Sequence, residues 1–369
     1  MSFPTEYGQI RSRLDDIDPV AYGRTRNYLD GAVTRLSPYI SRGVLTTRQV
    51  MQHILGRGFH QRRIEKFLQE LAWRDYWQQI WMVRGDEIDQ DLRSPQTLVE
   101  HTGVPAAVVE ASTGIRAVDD VIRTWYDTGY MHNHMRMYVA SIACNIGRCH
   151  WNLPARWMYF HLLDGDWASN ALSWQWVAGT NSRRKYVANQ ENINKYCRTD
   201  QQGTFLDVPY ASLPPDDIPA VLRPITNPEL ITTLPDADPV GIDPAKPTLL
   251  YNSYQLDPHW HAGMDANRIL LLEPSHFRRY PVSQKVLDFV LQLSANIPGM
   301  QVFTGDFADF VRLYQPERIL FKEHPTTRHY RGKEEPREWM FDVHGEYRSF
   351  FAFWKQCRKQ LKDKTSLSA

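Results

Sequence analysis

Asp164, Asp166 and Asn170 stand within residues 164–176, DGDWASNALSWQW, the stretch with the most chemical potential in the chain. Asp166 and Asn170 are four residues apart, so on a helix they project from one face, with Asp164 at its start. Trp174 and Trp176 follow and bracket Gln175. A polar face beside two indoles suits a flat aromatic ligand, hydrogen-bonded at its edge and contacted on its face. The bland alternative is a Trp-rich helix end in an all-helical core with two solvated aspartates.

Three further blocks carry reactive residue types. Tyr22-x-x-x-Arg26 precedes Val33-Thr34-Arg35-Leu36-Ser37-Pro38-Tyr39. Hydroxyls and an arginine in a tight loop before a helix can grip a pyrophosphate, although a capped turn with a surface arginine reads the same way. In residues 67–77, FLQELAWRDYW, Glu70, Trp73, Arg74 and Trp77 fall at i, i+3, i+4 and i+7, one helical stripe with Phe67 at its head. A Glu70–Arg74 ion pair alone contributes about 0.3–0.5 kcal/mol. Two Trp on the same face read instead as the wall of a pocket. In residues 130–137, YMHNHMRM, Asn133, Arg136 and Met137 share a helical face.

Apolar residues at three- and four-residue steps predict the helices that position these blocks, over 47–55, 64–83, 117–126, 134–146 and 154–163. Thr46 or Thr47 is the expected N-cap of the first. Composition changes after Phe205: ten of the 23 prolines lie between positions 208 and 247, amid Asp216, Asp217, Asp236, Asp238 and Asp243. Proline removes amide donors and resists helix, so this reads as an extended connector packed over its neighbours. A free linker would leave Ile218, Val221, Leu222, Leu230 and Ile231 exposed. Beyond it, apolar runs at 248–254, 268–272, 300–304 and 318–323 alternate with helical patterns at 283–293, 307–313 and 348–361. That alternation predicts a parallel sheet covered by helices, with a ligand crevice at its strand ends. No dinucleotide fingerprint accompanies it.

Charged residues at 23% and hydrophobic ones at 42% are ordinary for a folded protein. A net charge of +1 excludes a globally basic nucleic-acid binder but leaves room for a local basic surface. The 12 Trp and 18 Tyr exceed what a core needs, and buried indoles and phenols require partners, so stacking or electron transfer is indicated. Cys144, Cys149, Cys197 and Cys357 fit no zinc or iron–sulfur spacing. No metal is expected, and reduced thiols suit a cytoplasmic location. No apolar run approaches the ~18 residues of a membrane span, and the N-terminus has no apolar signal segment.

The four blocks closely resemble those of the photolyase/cryptochrome family, in that family's order, over about residues 22–196. The resemblance implies a mainly α protein: an all-helical FAD-binding domain over 1–205, the connector over 206–247, and a smaller α/β domain over 248–369 that looks like the family's antenna domain, relocated. It implies that Tyr22, Thr34, Arg35, Leu36, Ser37, Phe67, Glu70, Arg74, Trp77, Asn133, Arg136, Asp164, Asp166 and Asn170 hold FAD, with Asn170 at the flavin N5. Val33 departs from the threonine usual in the phosphate loop. Trp73 and Trp176 would clamp a flipped-out pyrimidine pair, touched also by Arg26, Glu70, Asn133 and Met137. The Met-His-Asn sequence with Met137 resembles enzymes acting on cyclobutane dimers. Base flipping costs a few kcal/mol, and stacking returns roughly 1–3 kcal/mol per base. His134 replaces an arginine that commonly contacts DNA phosphate.

Trp174 and Trp151 match two members of the family's three-Trp electron relay. The third position falls near Leu98, so Trp157, Trp125 or a tyrosine would substitute. The segment 180–196 resembles the branch carrying an iron–sulfur cluster, but Cys197 is the single ligand present, so no cluster is expected. The function implied is light-driven repair of cyclobutane pyrimidine dimers in DNA by an electron from excited reduced FAD. The alternative is a cryptochrome-like blue-light photoreceptor. An antenna chromophore, the strandedness of the DNA and the oligomeric state are left open.

Overall fold

A computed structural model describes residues 2–366. Helices of eight or more residues are α1 (Thr47–Gly56), α2 (Gln61–Arg84), α3 (Arg116–Thr128), α4 (Asn133–Ser141), α5 (Asn152–His161), α6 (Trp167–Ala178), α7 (Gln190–Cys197), α8 (Gln284–Ser294), α9 (Phe307–Tyr314) and α10 (Phe350–Ser366). Strands are β1 (Val104–Pro105), β2 (Ile225–Thr226), β3 (Thr248–Tyr251), β4 (Asn267–Leu272), β5 (Met300–Thr304), β6 (Ile319–Lys322) and β7 (Lys333–Glu335). The chain forms two compact units. One comprises Ala21–Val33 and Asp86–Leu230, the other Phe3–Val20, Thr34–Gly85 and Ile231–Ala369.

The first unit is helical and contains α3 to α7. Its ends are set by local chemistry. Asp119, buried in the first turn of α3, accepts hydrogen bonds from Thr113 N (2.9 Å), Thr113 Oγ1 (2.7 Å) and Gly114 N (3.0 Å). Gly129 and Gly179 stop α3 and α6 with φ of 72° and 86°, a left-handed conformation that glycine adopts without penalty. The helix pattern predicted over 134–146 is α4 continued by a π-turn, Ile142–Ile146. Helix α6 is buried on nearly every side, as expected of a helix apolar all round. Connector residues up to Leu230 lie on this unit: β2 pairs antiparallel with β1, and Leu222 is fully buried.

The second unit joins a five-stranded sheet to α1 and α2. All strands are parallel, in the order β5-β4-β3-β6-β7. Strand β3 is buried throughout, and β4 nearly so, as in a sheet covered on both faces. Helices α8 and α9 make the crossovers. Leu250, Ile269, Leu271, Phe303, Phe310 and Phe321 form one core cluster. Thr46 and Gln49 cap α1 reciprocally: Gln49 N donates to Thr46 Oγ1 (3.1 Å) and Thr46 N to Gln49 Oε1 (2.9 Å). The 24-residue α2 buries Ile64, Phe67, Leu68, Tyr76, Trp77, Ile80 and Trp81. It packs against the far C-terminal segment through Met340 N→Asp75 Oδ2 (2.7 Å) and Gln79 Nε2→Val343 O (3.3 Å). Connector residues beyond Ile231 bond to this unit, with Thr232 and Val282 paired at 2.7 and 2.8 Å. Ile231 itself is exposed.

Candidate functional site

In the helical unit, the polar centre is an ion pair between α4 and the turn before α6. Arg136 Nη2 donates to both carboxylate oxygens of Asp164, at 2.9 and 2.8 Å. The Asp164 side chain is 4% exposed and that of Arg136 21%, so the pair is strongly desolvated. Arg136 Nε also donates to Met131 O at 2.9 Å, which fixes the guanidinium. The turn is tight: a Cβ on Gly165 would lie 3.0 Å from Leu162 O and 3.1 Å from Tyr159 O. Asp166 begins α6 as its N-cap, accepting from Ser169 N at 2.7 Å. Asn170 Nδ2 donates to Ala155 O at 2.7 Å, leaving its oxygen and second N–H for other work.

Asn133, Arg136 and Met137 lie along α4 as their spacing predicts. Asn133 is exposed and Met137 half-buried. Tyr22 and Arg26 are half-buried in the same unit. Trp176 is 39% exposed and tilts against Tyr186, with centroids 5.8 Å apart. His134 does not stand free as a surface group. Its ring meets Tyr138 and Tyr196 edge-on at 4.8 and 4.7 Å, and burial, with the nearby Arg26 cation, pushes it down to about 4.

Trp151 and Trp174 are both buried. Trp174 Nε1 has no protein partner, whereas Trp151 Nε1 donates to Asp91 Oδ1 at 2.7 Å. Asp91 and His150 line a recess of about 530 Å³ together with Asp89, Gln90, Thr102, Asn152 and Leu153. Where the third Trp is expected, Leu98 is 54% exposed. Of the substitutes, Trp125 and Trp157 contact each other edge-on at 4.9 Å, and Trp157 Nε1 donates to Tyr126 Oη at 3.0 Å.

The remaining candidates lie in the second unit. Thr34 Oγ1 accepts from Leu36 N at 3.3 Å. Leu36 is buried in the core. Arg35 has φ 54°, and its Nε is buried without a protein partner. Ser37 begins the short helix Ser37–Ser41. On α2, Glu70 pairs with Lys66 at 2.7 Å. Arg74 Nη1 donates to Ser41 Oγ at 2.9 Å. Phe67 and Trp77 are buried. One face of Trp73 is covered: Phe350 of α10 stacks on it at 3.9 Å and 9°. Sequence reasoning missed Ser41, Phe350, Asp91 and His150. No local spacing links Phe350 to Trp73, 277 positions away. The Asp-x-Asp at 89–91 was the available signal for the carboxylates.

Residues 67–212 match the sequence family described as the FAD binding domain of DNA photolyase. A deoxyribodipyrimidine photo-lyase from Streptomyces griseus is 32% identical over 194 residues, 50% of this chain and 42% of that protein. The one from Alkalihalophilus pseudofirmus is 29% identical over 177 residues, 47% of this chain and 37% of that protein. This chain thus spans less than half the length of these relatives. A cryptochrome structure from Synechocystis overlays 53% of this chain and 44% of its own, at 24% identity and a TM-score of 0.47. Over residues 67–212, this chain is thus similar in sequence to the FAD binding domain of DNA photolyase.

Proposed function

We propose that the chain binds FAD and uses it to split cyclobutane pyrimidine dimers in DNA under blue light. The observation that carries the reading is the buried Arg136–Asp164 pair. It lies within the segment matched by the photolyase FAD domain and on the helix that bears Asn133 and Met137. The residues present suit the cofactor. Arg35 has a buried Nε without a protein partner, in a loop of hydroxyls and backbone amides, the donor set a phosphate needs. The aligned carboxylate and guanidinium of Asp164 and Arg136, and the free valences of Asn170, suit the edge of a ring that both donates and accepts. The proposed cofactor contacts are therefore Tyr22, Asn133, Arg136, Asp164, Asp166 and Asn170 in the helical unit. In the other unit they are Thr34, Arg35, Leu36, Ser37, Phe67, Glu70, Arg74 and Trp77.

When bound, reduced FAD supplies the electron that opens the dimer. The chain's own residues bind, orient and shield. Glu70, Asn133, Met137 and Arg26 would touch the lesion, and Trp73 and Trp176 would stack on it. In the resting flavoprotein, Trp174 and then Trp151 would pass electrons inward.

A second reading, light sensing without repair, is favoured by one observation. Phe350 fills the Trp73 face that a flipped base would use. The variant Glu70→Ala separates the two. Under the repair reading it retains FAD and photoreduction but loses dimer splitting by the chemically reduced protein. If Glu70→Ala splits dimers at the wild-type rate, Glu70 has no part in handling the substrate.

A further inference from the structure

We propose that Asp91 receives the indole proton of Trp151 when that residue is oxidised, so that the electron relay of this chain ends at Trp151. The inference rests on the relay given above and adds its proton acceptor. Trp151 is fully buried, and its Nε1–H donates to Asp91 Oδ1 at 2.7 Å. The same oxygen lies 3.3 Å from His150 Nε2. Gln96 N holds the other Asp91 oxygen at 2.7 Å, so the carboxylate is aimed rather than mobile. Asp91 and His150 both reach the recess of about 530 Å³, and their side chains are 22% and 30% exposed. Indole, hydrogen-bonded base and solvent thus form one continuous path.

Losing an electron makes an indole N–H strongly acidic. Bound oxidised flavin, photoexcited, would supply the one-electron oxidant, and Trp174 would donate to it. Trp151 fills the hole on Trp174. The Trp151 Nε1–H bond then breaks with its electron pair left on nitrogen, and the proton bonds to Asp91 Oδ1. A neutral indolyl radical and a carboxylic acid result. The proton then passes from Asp91 to water in the recess. Proton loss traps the hole, which a third Trp would otherwise do by carrying it further; Leu98 offers no oxidisable ring.

A neighbouring pair shows the contrast. Trp167 Nε1 also donates to a carboxylate, Asp89 Oδ1, at 2.6 Å. Yet the Arg156 guanidinium lies over the Trp167 ring at 4.9 Å and 3.8 Å from Asp89. A cation on the ring face stabilises the neutral indole and opposes its oxidation. Of these two neighbouring pairs, the one at Trp151 has a histidine beside its carboxylate, and the one at Trp167 has a guanidinium over its ring.

The test is flash photolysis of the flavin-loaded protein, reading the tryptophanyl radical, whose cation and neutral forms differ in spectrum. Wild type should give the neutral radical, more slowly in deuterated solvent. Asp91→Asn keeps an acceptor for the indole but removes the base. It should slow deprotonation on the order of a hundredfold, the scale of losing a positioned base, with faster charge recombination. Asp91→Glu should restore proton uptake. If Asp91→Asn deprotonates at the wild-type rate, or Trp151→Phe yields the wild-type long-lived radical, the proposal is overturned. A radical lost in Trp174→Phe but deprotonating normally in Asp91→Asn overturns the proton acceptor alone. A wild type that forms no tryptophanyl radical overturns the relay as well.

Discussion

Arg136 and Asp164 show how a single contact ties stability to the site. One guanidinium nitrogen, 2.9 and 2.8 Å from the two oxygens, compensates a carboxylate that is almost wholly desolvated. Removing the cation leaves that charge poorly compensated, which costs about 3 kcal/mol or more. Arg136→Ala should lose that much in urea unfolding of the flavin-free protein. Arg136→Lys should recover only part, because a lysine ammonium cannot also supply the Nε bond to Met131 O. His134 gives a pH signature. Its folded value of about 4 lies below the ordinary 6.5, so the unfolded chain binds the extra proton between those limits. Its contribution is whole above about pH 6.5, declines as pH falls towards 4 and is constant below, amounting to roughly 3 kcal/mol at most. His324, buried and lowered in the same direction, acts with the same sign. Unfolding measured from pH 7 down to pH 4.5 should show the loss, and His134→Phe should flatten part of it. The sequence marked His134 as a departure at a DNA-contacting position; nothing local announced that two tyrosines enclose it.

Among the elements, α2 carries both a readable pattern and an unreadable partnership. Its i, i+3, i+4, i+7 stripe was legible because helical geometry alone places Glu70, Trp73, Arg74 and Trp77 along one side. The residues that meet this stripe were not legible. Arg74 donates to Ser41, 33 positions away, a partnership made by tertiary packing, whereas the Lys66–Glu70 pair is local to the helix. Trp73 stacks on Phe350, and Trp354 Nε1 donates to Glu65 at 3.2 Å, contacts between segments almost 300 positions apart. Phe350 is buried, so Phe350→Ala should cost about 3 kcal/mol. It also uncovers the Trp73 face. If the lesion stacks there, the variant should bind a thymine-dimer oligonucleotide more tightly than wild type in a titration. Unchanged affinity would show that the substrate does not use that face.

Across the whole molecule, the change from helical to alternating periodicity near residue 248 located the parallel sheet, because its buried strands are continuous apolar runs. Strand β7, Lys333–Glu335, escaped notice: it is short and fully charged, as a sheet edge can be. The connector's extended character followed from its prolines, while its division of contacts at residues 230–231 depended on side chains far away in sequence. Four blocks spread over the chain were enough to indicate a flavin site, since each needs only local geometry. Dimer repair is read from the thymine that light restores. Purified protein, loaded with FAD and fully reduced by a chemical reductant, is illuminated with single- and double-stranded oligonucleotides containing one thymine dimer, and restored thymine is quantified against a dark control. The account predicts light-dependent restoration with at least one substrate. No restoration from either, with FAD bound and reduced throughout, would contradict it and leave light sensing as the function of the site.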